Sequence, residues 1–539
     1  MIVRDRRGFV RGVATPGMQQ VRRNAPLNDF IEGLLRLDST ERAEDIVEFI
    51  QQSRPDEATM LYAINVLLAS ARFRAPYILA MIVAKAGTQH PMVALALATG
   101  GMIFGNTDEE ARGLGSLRHL VDHLSAEQRT ILYEKVMSPM LTGLLELYMR
   151  KSNAHVLQIL EILKAGVPPF RSIFDLDTPP PVLSLDALRR QGRERAAGKL
   201  IHYPSPPPGA PRVPRRAVVA IRDLVYPGQS WSRPFDVGPR WAAGMEAYGW
   251  PTTFIGLACQ NLIEDYRAIA EVCRRENAEV LVLDDHLIEA AYALPARSDM
   301  IAAFRRDLPA LKLVGIHFDS WALDGDELAK ASLMLDAIID VTSPSLPAWK
   351  IPALSRRVLH IQSPHCGDYR RMDLPLKPRM LFAGGVKGYN WHRAFWLAAA
   401  EAYHLPIDQK RSTHALDGLS ALDSYAVYMR EQAEATCCLS PSMRSDLARI
   451  VTGRSFETIV AGSLLVQEET PEMDYHFISG EHYLSFTTFS ELRAIARFIA
   501  EHADEAEDVR RRGAEFAHQR YSDEMLVGYI DKLLFFPDQ

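Results

Sequence analysis

The sequence predicts an α/β protein in which two doubly wound domains face one cleft, preceded by an all-α helical-repeat or bundle domain. Three observations carry that expectation. Apolar residues recur at helical spacing from Leu27 to about Ala165. Prolines then crowd the stretch between Gly166 and Arg216. After Val218, short β-branched runs alternate with helical stretches. At roughly 150 residues per domain, the length suits about three domains. A hydrophobic fraction of 47% and a charged fraction of 24% exclude a disordered, collagen-like or disulfide-scaffold chain.

Residues 1–26 form an Arg-rich arm without the apolar core of a secretory signal. Residues 27–166 are expected to be helical nearly throughout. Helix starts are read at Ser39-Thr40, at Ser53-Arg54-Pro55 and at Thr107. Ser125 with Gln128 reads as a capping box, and Pro139 suits a first helical turn. The starts recur as in a tetratricopeptide array, yet its signature residues do not repeat, so a solenoid and a plain bundle both stay open. The most apolar stretch, Pro76 to Phe104, is broken by Lys85, His90 and Pro91. Neither piece reaches the roughly 20 apolar residues of a spanning helix, so two buried helices are expected and no transmembrane segment.

Residues 167–216 read as a Pro-rich linker carrying a basic helical piece with Arg189, Arg190, Arg193 and Arg195, expected to be a solvated face. Residues 217–376 and 377–539 carry the βαβ rhythm of parallel sheets covered on both faces. Two such units place a cleft at their strand C-terminal ends, where nucleotides or nucleotide-linked substrates bind. A net charge of -6 argues against a partner held by many phosphates, so no nucleic acid is expected. Five cysteines without a CxxC pair read as reduced thiols in a cytoplasmic protein.

The most informative segment is Gly453 to Phe486, with Arg454, Phe456, Glu457, Gly462, Pro471, Gly480, Glu481 and His482. On these residues the chain resembles the donor-binding domain of GT-B glycosyltransferases (group 1, family 4-like). In that family a helix bearing Arg-x-Phe-Glu precedes a Gly and a strand, then a Pro-containing loop and a Gly-Glu-His turn. The resemblance covers roughly Pro378 to Leu534, is mainly architectural from Val218 to Arg371, and does not reach the N-terminal helices. It implies two Rossmann-like domains and transfer of a sugar from a nucleoside diphosphate. One departure stands out: many retaining members carry two glutamates eight residues apart here, and Arg449 occupies the earlier position. The stereochemical outcome is therefore not read from this segment.

The chemistry of such a donor asks for the same residues. A diphosphate needs backbone N–H groups and positive charge, and a ribose needs a carboxylate acceptor. Glu457, in the first turn of a helix, is placed for the ribose, and Arg454 for phosphate or sugar. The bland alternative is that Glu457 caps its helix while Arg454 pairs with a surface acid. Gly384 and Gly385, closing a strand and opening a helix, suit backbone approach to a phosphate, with Lys387 adding charge. In the resembled family the equivalent loop contacts the donor diphosphate.

A general base is sought at strand ends of the first α/β unit: His286, or His317 with Asp319, and more weakly His365. The turn around Gly228 and Ser232 could also face the cleft. No spacing matches a metal motif, and no cofactor beyond the donor is expected. The reading is a hexosyl-type, metal-independent glycosyltransferase whose helical domain docks an acceptor, either a surface or flagellar protein or a cell-envelope glycan. A nucleotide-sugar epimerase of the same architecture, and a non-catalytic helical scaffold with a relic α/β half, are the competing classes.

Overall fold

The computed structural model describes residues 25–38, 42–69, 72–125, 128, 132, 154–162, 173–203, 212–225, 232–234, 236–257, 262–284, 294–317, 329, 332–340, 344–369, 377–384, 392–410, 419–443 and 449–536. Helices α1 (Ala25–Asp38), α2 (Ala43–Ser53), α3 (Glu57–Ala69), α4 (Arg74–Lys85), α5 (Pro91–Phe104) and α6 (Thr107–Asp122) open the chain. A further helical run covers 154–162. The apolar stretch does form two buried helices, α4 and α5, and every residue of α5 from Met92 to Met102 is buried. His90 caps α5 by accepting from the Met92 N–H, with Pro91 in the first turn. Asn106 caps α6, one residue before the expected Thr107. The reciprocal Ser125–Gln128 bonds are present at 2.9 and 3.2 Å. Ser39, Thr40 and Pro139 lie outside the described residues. Small residues let α5 and α6 approach: a Cβ on Gly113 would lie 2.4 Å from the Ala98 nitrogen.

The segment read as a free linker is instead a strap along the C-terminal unit. Its helix α7 (Leu185–Ala196) turns Arg189 and Arg195 partly inward, while Arg190 and Arg193 are exposed. Arg189 reaches Asp508 at 3.2 Å, Arg195 reaches Glu469 and Asp474, Lys199 reaches Asp474 at 3.1 Å, and Arg193 bonds Glu481. Composition could not show this, because the partners lie some 280 residues away in the chain. Partly exposed ion pairs contribute about 0–1 kcal/mol each, so they orient the strap more than they hold it. The close backbone approach matters more. Gly480 has φ +79°, and a Cβ there would meet the Arg189 nitrogen at 2.6 Å, while one on Gly192 would meet the Ser479 carbonyl oxygen at 2.2 Å. Gly192→Val should therefore lift α7 from the turn at a cost of about 1–3 kcal/mol. Limited proteolysis should then cut the variant between the helical domain and the first α/β unit faster than the wild type. Equal cutting rates would show that the contact contributes nothing.

The first unit holds β1 (Ala217–Val225), β2 (Ser232–Pro234), β3 (Thr252–Leu257), β4 (Val280–Asp284), β5 (Lys312–His317), β6 (Ala337–Asp340) and β7 (Val358–Leu359). The parallel order is β3-β1-β4-β5-β6-β7, with β2 antiparallel against the end of β1. Helices α8 (Val237–Tyr248), α9 (Leu262–Glu276) and α10 (Leu294–Asp307) cover it. Alternation along β1 divides the core: Val219 and Ile221 join one apolar cluster, Val218 and Ala220 the other.

The second unit holds β8 (Lys377–Ala383), β9 (Ile407–Lys410), β10 (Ala435–Ser440), β11 (Leu464–Glu468) and β12 (Leu484–Phe486), all parallel, in the order β9-β8-β10-β11-β12. Its helices are α11 (His392–Ala402), α12 (Ala421–Glu434), α13 (Gly453–Val460), α14 (Phe489–Glu501), α15 (Ala503–Tyr521) and α16 (Asp523–Phe535). The strand order reverses between β8 and β10, where a doubly wound sheet opens a crevice at its carboxyl end. Helix α16 crosses back to the first unit, where Asp531 accepts from Tyr248 Oη at 3.2 Å and Phe535 meets Trp250 edge-on. One core cluster spans both units, joining Val219, Ile221 and Ile316 to Phe456, Ile459 and Ile530. Among the described residues no helix is long and apolar enough to cross a membrane.

Candidate functional site

The strand-order reversal brings two of the sequence-predicted residues together. Gly384 follows the last residue of β8, and Arg454 is the second residue of α13. A Cβ on Gly384 would lie 2.0 Å from Arg454 Nη2, so the guanidinium rests directly on the glycine backbone. The same guanidinium lies 5.1 Å from the Phe382 ring centroid. Its Nε and Nη1 are buried and have no hydrogen-bond partner among the described residues. Buried donors left unpaired cost about 1–3 kcal/mol each, more for charged groups, so an acceptor at these two atoms would relieve that cost. The N-terminus of α13 adds the positive end of a helix, and Thr452 before it makes no side-chain cap.

Glu457, one turn further along α13, sits in a different environment, 8% exposed. Its Oε1 accepts from Arg240 Nη1 at 3.1 Å and from Tyr425 Oη at 3.3 Å, and its Oε2 accepts from Tyr428 Oη at 3.0 Å. Arg240 comes from α8 of the first unit and is 3% exposed. It also donates to the Pro364 and Ser363 carbonyls at 2.7 and 3.1 Å and to Asp236 at 3.3 Å. The Tyr425 ring lies 3.9 Å from the guanidinium carbon. Burial pushes both tyrosine hydroxyls well above their ordinary values, which keeps them as donors to the carboxylate. Glu457 therefore links the two units.

A second carboxylate closes the end of β11. Glu468 is fully buried and accepts from the Ser442 and Met443 N–H groups at 2.7 and 3.0 Å. Burial raises its pKa, against the pull of those amides and of Arg449 and Arg393. Arg449, at the position where the resembled family carries its earlier glutamate, approaches Glu468 at 3.8 Å. Arg393 stands in the first turn of α11, after the Gly384 loop.

The base candidates fare differently. His317 ends β5 as expected, but its ring is 0% exposed, lies 5.7 Å from the Trp349 ring and folds back over Gly315. A residue two places along a strand shares its face, so His317 packs on the same face as Gly315 and is enclosed there. His365 is buried behind the Glu457 network, with Nδ1 3.1 Å from Tyr425 Oη, and burial pushes its pKa well down. His286, Asp319, Gly385, Lys387 and Gly228 lie outside the described residues, and Ser232 opens β2. Among the described residues no group of three or more His, Cys, Asp or Glu is placed to hold a metal ion.

Arg240, Asp236, Tyr425, Tyr428 and Glu468 had not been singled out from the sequence. A lone arginine within VGPRWAAGMEAY was the available signal for Arg240, since a charge on an apolar helix needs a buried partner.

The junction also sets a pH response. His476 is buried against Phe456, with Nδ1 3.2 Å from Tyr521 Oη, and burial lowers its pKa to about 3. The unfolded chain binds a proton near pH 6.5 that the folded chain refuses until about 3. This stability is complete above pH 6.5 and drains as pH falls through that window. Its slope is about 1.4 kcal/mol per pH unit. Denaturant midpoints of the wild type and His476→Asn should converge between pH 7 and 5. Parallel curves would show that His476 does not titrate with unfolding.

Residues 393–525 match a protein family described as glycosyl transferase-like. The C-terminal unit is a glycosyl transferase-like domain. The matched span begins at Arg393 and contains Arg449, Arg454, Glu457 and Glu468. No curated protein matches the chain. Among solved structures, the chain aligns with the HepE protein of Anabaena in complex with UDP, at 10% identity and a TM-score of 0.36, covering 59% of this chain and 99% of that one. It aligns with the sucrose-phosphate synthase of Thermosynechococcus elongatus at 12% identity and a TM-score of 0.38, covering 60% and 99%. An O-GlcNAc transferase of Thermobaculum terrenum aligns over 90% of this chain and 95% of its own, at 12% identity and a TM-score of 0.26. The fold class rests on the two strand orders: a pair of doubly wound parallel units, joined by α16 and preceded by helices, is the GT-B architecture.

Proposed function

We propose that the protein is a glycosyltransferase that takes a hexose from a nucleoside diphosphate sugar and passes it to an acceptor hydroxyl or amine. The observation that carries this reading is Arg454, lying on Gly384 with two buried N–H donors that have no partner among the described residues. A donor diphosphate would answer them, with the α13 N-terminus, Gly385 and Lys387 completing the cradle and Glu457 accepting from the ribose. In the transfer, the bond between the anomeric carbon and the diphosphate oxygen breaks. The nucleoside diphosphate leaves with the electron pair, and the acceptor bonds to that carbon as its proton passes to a base. Fixed positive charge at the leaving oxygen is what such a departure needs, and in this proposal no bound metal or further cofactor supplies it. The base is not placed: His317 is enclosed, and His286 and Asp319 lie outside the described residues.

The helical domain is proposed to present the acceptor, a surface or flagellar protein or an envelope glycan, drawing on the cytoplasmic pool of activated sugars. The docked strap favours this role, because it ties the chain that leaves the helices to the donor unit. Incubating the full chain with UDP-, GDP- and dTDP-hexoses tests the reading. Release of the nucleoside diphosphate, with the sugar moved to water or an acceptor, is expected. Interconversion of the sugar without that release would point to an epimerase, and no turnover or binding at all to a scaffold.

A further inference from the structure

The partners of Glu457 leave a countable opening. A carboxylate offers about four lone-pair positions, two on each oxygen. On Oε1 both are used, by Arg240 Nη1 at 3.1 Å and Tyr425 Oη at 3.3 Å. On Oε2 one is used, by Tyr428 Oη at 3.0 Å. Among the described residues one position on Oε2 is left, and the residue keeps 8% exposure.

None of the three donors is free to step aside. Arg240 is fixed by two backbone carbonyls, by Asp236 and by the Tyr425 ring. Tyr425 is backed by His365 Nδ1 at 3.1 Å. The raised pKa values of the tyrosines keep their protons on the phenol oxygens. A ribose with two adjacent hydroxyls would need two vacant positions to be chelated. Among the described residues, this carboxylate has one.

We infer that the donor site reads a single ribose hydroxyl through Glu457 Oε2, and so accepts nucleoside diphosphates lacking one of the two. This rests on the proposed donor site and narrows its substrate class: the chain should bind either the 2′-deoxy or the 3′-deoxy form nearly as well as the ribonucleotide. Tyr428 becomes a specificity-determining residue, since its hydroxyl occupies the position that a second sugar hydroxyl would take.

The experiment is equilibrium binding of UDP, its 2′-deoxy form and its 3′-deoxy form to the full chain, repeated with the guanine series if uridine does not bind. A hydrogen bond to a charged acceptor corresponds to about tenfold or more in affinity. One monodeoxy analogue should fall within about tenfold of the ribonucleotide and the other beyond it. In Tyr428→Phe, which keeps the ring and frees the second position, the tolerated analogue should fall behind as well. Loss of both analogues by more than about tenfold in the wild type means chelation and overturns the inference. So does an unchanged ranking in Tyr428→Phe. The donor reading fails in a separate way: no nucleoside diphosphate binds, or both analogues bind like the ribonucleotide and Glu457→Gln changes nothing.

Discussion

Arg454→Ala is expected to lower the affinity for a nucleoside diphosphate by about 10- to 100-fold, the range for losing charge-assisted hydrogen bonds to a phosphate. Its stability effect should have the opposite character. Most buried charges hold a structure together, so their removal destabilises it. The Arg454 Nε and Nη1 donors have no partner among the described residues, so removing them should relieve a desolvation cost. Melting of Arg454→Ala should therefore be unchanged or slightly higher while binding collapses. Gly384→Ala reaches the same outcome by another route. Its Cβ would land 2.0 Å from Nη2, the far end of a flexible side chain, which can swing away at small cost to the fold but not to the phosphate site. A variant that loses binding and stability together would place Arg454 in the framework instead.

Arg240→Ala should behave in the contrary way and cost the most stability of any single change at the junction. It would leave Glu457 and Asp236 buried without their shared cation, and the Ser363 and Pro364 carbonyls without their donor. Breaking a buried pair by removing one member typically costs about 3–5 kcal/mol. Thermal melting followed at both units should show the transition moving down. The donor KM should rise as well, because Glu457 loses the partner that aims it. Combining Arg240→Met with Glu457→Gln should recover part of the loss, since one of the two carboxylate charges left behind goes too. Additive losses in the double variant would show that the two residues do not act on each other.

The sequence carried the α/β half well because strands buried on both faces leave an unmistakable trace. VVAIRDLV, EVLVLDD and ATCCLS could hardly be anything else, and they are β1, β4 and β10. The strands that escaped notice are β2, β9 and β12: two are three residues long, and IDQK lies at the sheet edge, where polar side chains are tolerated. The strap escaped for a different reason. Prolines mark where regular structure stops but say nothing of what the chain then lies against.

At the site, the type of residue was legible and its commitment was not. Arg454 and Gly384 came from a local pattern and do meet. That Glu457 is shared with Arg240 depends on a contact across 217 residues, which no local pattern encodes. For His317 the information was present but unused. A strand end places a side chain near the crevice only if it is left uncovered, and here His317 shares the Gly315 face and packs against Trp349.

The most direct test is equilibrium titration of the full chain and of Gly384→Ala with UDP, GDP and dTDP, with a melting curve taken on each protein. At least one nucleoside diphosphate should bind the wild type in the micromolar range and be displaced by its own sugar ester. Gly384→Ala should melt at the same temperature and bind it about 10- to 100-fold more weakly. Wild-type protein that binds no nucleoside diphosphate, or a Gly384→Ala variant that binds as tightly as the wild type, would contradict a diphosphate site at Arg454.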